Sequence, residues 1–151
     1  MNWNRNRSVR LSQACLVLFA AALAALDIGG YWIVGYMMEI VRGLEFWQQG
    51  AVVLAAVYCG SVPAWILLAS LWGLLGRLRR GLVFDAANVR LMRRASWCCC
   101  AAGAISLLAG CFWLPLLMVS LAAFFVGLVV RIVKNAFEQA IAMKDELDWT
   151  V

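Results

Sequence analysis

Three stretches of this chain run too long without a charge for a water-soluble fold to accommodate them. The first, Leu11–Met38, is interrupted only by Asp27. The second, Phe46–Gly76, and the third, Ala95–Val130, carry no charged residue. A helix needs about 20 consecutive apolar residues to cross a bilayer, and lipid offers no partner to an unpaired backbone group. Composition agrees: 66% of the 151 residues are hydrophobic and 14% are charged, where soluble domains carry about 25% charged residues. Intrinsic disorder is excluded, because it requires low hydrophobicity. Direct nucleic-acid binding is not expected, since the net charge of +5 is diluted by apolar residues.

The third stretch sets the number of crossings. As one straight helix its 36 residues would be roughly 54 Å long at 1.5 Å per residue, against a hydrocarbon core of about 30 Å. Pro115 interrupts it after Cys111-Phe112-Trp113-Leu114. Proline disfavours helix at the preceding residue and Trp favours the interface, so Phe112–Pro115 reads as a surface turn. The expected fold class is therefore all-α, a polytopic membrane protein with four transmembrane helices and a cytoplasmic helical extension. The spans fall at about 11–38, 48–76, 95–113 and 116–134, with a cytoplasmic connector at 77–94 and a C-terminal helix at 134–147. A three-span chain with one Pro-kinked helix is the alternative. Charge decides between them: with four spans, 12 of the 13 Lys and Arg lie on one side and only Arg42 on the other, the positive-inside pattern with both termini cytoplasmic. Met1–Arg10 has the charge of a signal-peptide n-region and Ala20–Ala25 offers small residues for cleavage, but the first apolar run is too long for an h-region.

Helices in lipid pack through small and polar residues. The first span offers Ala20/Ala24 and Ala21/Ala25. The third offers Cys98, Ala102, Ser106 and Gly110 at four-residue spacing. Ser61 and Pro63 suggest a kink in the second. These ridges would close a monomeric four-helix bundle or, in a second arrangement, form a homodimer seam. Six Cys and no His leave no obvious general base or metal site. Cys98, Cys99 and Cys100 are consecutive, not C-x-x-C, and read as small packing residues; palmitoylation of the cluster is the alternative. No metal, cofactor or catalytic residue is expected. Asp27, the one acid inside an apolar run, reads as an interfacial, hydrated residue; its alternative is an intramembrane coupling carboxylate, as in small exporters.

Two basic-side segments carry more information. In Arg77–Arg94, Gly81 permits a turn, Asp85 is a helix N-cap, and Phe84 can staple onto Val89. Phe84, Asp85, Asn88, Arg90, Arg93 and Arg94 are its candidate contact residues. The simplest role for its arginines is contact with anionic headgroups, each worth about 1 kcal/mol. In the second segment, Val133, Phe137 and Ile141, and Ala140, Met143 and Leu147, recur at helical spacing. This predicts an amphipathic helix to about Glu146, with Leu147–Val151 leaving it. Phe137, Glu138, Ile141, Asp148 and Val151 are its candidates for binding a partner.

At these two segments the sequence resembles the DUF2975 family of small bacterial membrane proteins. The carrying residues are Arg79-Arg80-Gly81-Leu82-Val83-Phe84-Asp85-Ala86-Ala87-Asn88-Val89-Arg90-Leu91-Met92-Arg93-Arg94, then Phe137-Glu138-Gln139-Ala140 and Lys144-Asp145-Glu146-Leu147-Asp148-Trp149-Thr150-Val151. Asp85 stands where that family often has Ser. The resemblance implies four spans in the bacterial inner membrane with both ends inside, no established catalytic residues, and a small cytoplasmic helix-turn-helix regulator as genetic neighbour. The expected function is thus non-enzymatic: a membrane partner that binds and controls such a regulator. Alternatives are a small dimeric exporter using Asp27, or a membrane-active toxin or its immunity partner.

Overall fold

A computed structural model describes residues 3–42, 46–82 and 85–149. They form four helices: α1 (Trp3–Arg42), α2 (Phe46–Arg79), α3 (Ala86–Gly110) and α4 (Pro115–Trp149). Three contain segments long and apolar enough to cross a membrane: Arg10–Met37, Gly50–Arg79 and Pro115–Lys144. α3 does not qualify, because Arg90, Arg93 and Arg94 occupy its first turns and its charge-free part is confined to residues 95–110.

The helices are laid side by side in chain order. α1 packs on α2, α2 on α3, and α3 on α4. Among the described residues this row, in which α1 and α4 do not pack along each other, replaces the expected closed bundle, and α3 lies inside it. That helix is flanked on both sides and supplies most of the buried residues, among them Val89, Ala95, Cys98, Cys99 and Ala109. A helix shielded by protein needs small residues more than hydropathy, and α3 has them. Helices α1 and α4, at the two ends of the row, expose Leu18, Ile28, Met118, Leu121 and Phe125, as lipid-facing helices do.

The turns follow local chemistry. Asp85 caps α3: its Oδ1 accepts from the Ala87 N–H at 2.9 Å. Gly81 has φ +80°, the left-handed region that only glycine enters without strain. The α3–α4 turn occupies Cys111–Leu114, and Pro115 is the first residue of α4, where its missing N–H costs nothing. Trp113 and Leu116 from this corner pack on Val34 and Val53 of α1 and α2. α2 stays helical through Pro63. α4 continues to Trp149, so Leu147 does not leave the helix as its sequence suggested.

Candidate functional site at the basic end of the helices

α3 and α4 meet through four small residues in an antiparallel register. The Ser96 hydroxyl of α3 donates to the Gly127 carbonyl of α4 at 3.1 Å. The Ser120 hydroxyl of α4 donates back to the Gly103 carbonyl of α3 at 2.8 Å. The exchange is reciprocal because Ser96 and Gly103, like Ser120 and Gly127, are seven residues apart. A seven-residue seam is what two helices present when they pack along a shallow crossing. There is no slack in it: a Cβ on Gly127 would lie 3.1 Å from the Cys99 Cβ, and one on Gly103 would lie 3.1 Å from the Phe124 ring.

One turn beyond this seam, the two sequence-predicted segments come together. Arg93 of α3 pairs with Glu138 of α4 at 3.1 Å across 45 residues of chain, and Lys134 reaches the same carboxylate at 3.0 Å. Arg90 and Arg94 are exposed beside them, while Phe137 and Ile141 are half-buried on α4. Met143 is exposed further along the same helix. Phe84 and Val151 lie outside the described residues, and so does the side chain of Asp148.

Behind this face, Arg77 of α2 clasps the start of α3. Its Nε donates to Asn88 Oδ1 at 3.0 Å, and its guanidinium also pairs with Asp85. Asn88, 1% exposed, donates in turn to the Leu82 carbonyl at 2.7 Å. The backbone N–H of Ala87 and the Arg77 guanidinium together hold the Asp85 carboxyl below its ordinary range. The sequence singled out Asp85 and Asn88 as contact residues; the structure places Asn88 inside the connector, with its amide engaged there. Arg77 was not singled out, and its spacing of eleven from Asn88 spans a turn that no helical period describes.

Asp27 sits apart from this end. Its Oδ2 accepts from the Trp65 indole N–H of α2 at 2.9 Å, and its Oδ1 is enclosed with no hydrogen-bond partner among the described residues. Among the described residues no cluster of His, Cys, Asp and Glu suits a metal. The Cys98 and Cys99 side chains are buried in the helix contacts.

The curated proteins and the solved structures yield no match to this chain. The profile described as "Protein of unknown function (DUF2975)" matches residues 13–151, and the chain that folds into this row of helices belongs to that family.

Proposed function

We propose that this chain is a non-enzymatic, four-span inner-membrane protein that holds a small helix-turn-helix regulator at the cytoplasmic surface. One observation carries the reading: the Arg93–Glu138 bridge joins the two family motifs into a single face. That face offers exposed cations at Arg90 and Arg94 and a half-buried apolar residue at Ile141, three residues on from Glu138, a mixture suited to a protein surface. The fourth crossing is α3, which runs antiparallel to two neighbours that are each apolar enough to span. With four crossings the basic ends share one side. A stimulus that favours one arrangement of α3 and α4 would release the regulator as a population shift.

Co-purification with the helix-turn-helix product of the neighbouring reading frame tests this. Capture by the wild type and its loss on deleting residues 134–151 are expected. Ile141→Glu, which places a charge on that face, should weaken capture about tenfold or more, the loss of one apolar anchor made worse by burying a charge. Equal capture by all three chains would sink the proposal.

The enclosed Oδ1 of Asp27 favours a second reading, a dimeric exporter with Asp27 as its coupling carboxylate. Asp27→Asn keeps an oxygen for Trp65 but cannot cycle a proton. Under this reading it abolishes transport in a chain that still inserts and folds. Unchanged transport would remove the coupling role.

A further inference from the structure

The seam between α3 and α4 changes chemistry at its basic end. Phe124 and Gly127 hold seam positions on α4, and one heptad further on the same positions are Arg131 and Lys134. Small and apolar contacts give way there to a cavity of about 270 Å³ lined by Arg93, Ser96, Trp97, Cys100, Arg131 and Lys134. A water molecule occupies about 30 Å³ of liquid, so the space suits a group far larger than one water.

Its charge is unbalanced. Arg93 and Lys134 share the single carboxylate of Glu138, and Arg131 makes no ion pair among the described residues. Three cations thus face one anion. Lys134 is withdrawn, with its side chain only 14% exposed, and a charge in that position needs compensation. The Ser96 hydroxyl is already donated to Gly127. The donors left to a ligand belong to Arg131, with contributions from Arg93 and Lys134. All are cationic, and guanidinium geometry matches the oxygens of a phosphate.

The surroundings indicate what carries that phosphate. Trp97 is 70% exposed on the cavity wall, as interfacial tryptophans are. It also borders an open groove of about 920 Å³ between α2 and α3, whose walls include Val62, Pro63, Ile66, Ala101 and Ile105 with Arg94 among them. A cationic cavity and an apolar groove meeting at one exposed Trp match a molecule with an anionic head and hydrocarbon tails. We propose that this cavity is a binding site for the phosphodiester headgroup of an anionic phospholipid, with Arg131 as its principal ligand. The site does not depend on any regulator being bound.

The test uses the full chain, delipidated in neutral detergent and titrated with phosphatidylglycerol, phosphatidylethanolamine or inorganic phosphate. Bound lipid is counted by native mass spectrometry. Arg131→Gln is the main variant, because among the described residues Arg131 makes no ion pair whose loss would unsettle the helices. It should lower phosphatidylglycerol retention about fivefold or more, in line with the loss of one close cation. Arg131→Lys, which keeps the charge but loses the planar fork, should restore part of it, and Arg79→Gln, outside the cavity, should lower it clearly less than Arg131→Gln. Phosphatidylethanolamine should be retained weakly by every chain, and millimolar phosphate should not displace the lipid. Equal losses from Arg131→Gln and Arg79→Gln would reduce the effect to general surface charge and overturn the site. Displacement by inorganic phosphate would overturn the lipid as its ligand.

Discussion

Gly127→Leu is expected to drive α3 and α4 apart and to cost the fold about 2–3 kcal/mol. Even the first added carbon would stand 3.1 Å from the Cys99 Cβ and 3.5 Å from the Ser96 carbonyl. Neither atom is the end of a flexible side chain, so the helix itself must move. Movement would also break the two reciprocal hydroxyl bonds, since Ser96 donates to the carbonyl of Gly127 itself. Ser120→Ala is the control for the hydrogen bond alone. Such bonds between membrane helices average about 0.6 kcal/mol, because the separated helices find other partners in lipid. Unfolding in mixed micelles, followed by tryptophan fluorescence, should therefore rank Gly127→Leu well above Ser120→Ala. If Gly127→Leu is as stable as wild type, backbone proximity is not what joins these helices.

That seam also marks the limit of what the sequence discloses. The charge-free runs locate α1, α2 and α4, because desolvation of a charge is so costly that its absence over a whole span is unambiguous. The Asp85 cap, the Gly81 turn and the break at Pro115 are likewise local chemistry and are found where the residues indicate. The partners of α3 are different. A four-residue ridge through Cys98, Ala102, Ser106 and Gly110 is an equally good stripe, yet the α4 contact follows Ser96, Cys99 and Gly103 and shares with that ridge Gly110, which lies against Leu117. Only the matching seven-residue spacing of Ser120 and Gly127 on another helix selects between them, so neither helix discloses the pairing alone. The basic cavity is hidden for the same reason. Arg131 and Lys134 look like residues that end a span, and only the register opposite Arg93 and Ser96 brings them to one site. α4 runs past its expected end near Glu146, because no Gly or Pro stands before Trp149 to stop it.

The connector yields the second large effect. Asn88→Leu should destabilise the α2–α3 junction by about 2–4 kcal/mol, because it leaves two groups without their partners at once. Arg77 loses the acceptor of its Nε, and the Leu82 carbonyl loses the amide that donates to it. Asn88 is buried, so water cannot enter in its place without opening the turn. Asn88→Asp separates these terms. It keeps an oxygen for Arg77 but removes the donor to Leu82, and it puts a second carboxylate beside Asp85. Its cost should fall between wild type and Asn88→Leu at neutral pH. The consequence reaches the proposed docking face, because the same first turns of α3 carry Arg90, Arg93 and Arg94. An α3 that is no longer anchored at Asn88 would let Arg93 drift from Glu138, so regulator capture should fall together with stability. Unfolding measurements and capture on the same two variants check this. Full capture by an Asn88→Leu chain whose stability has dropped would separate the connector from the docking face, and that surface would then have to be sought on α4 alone.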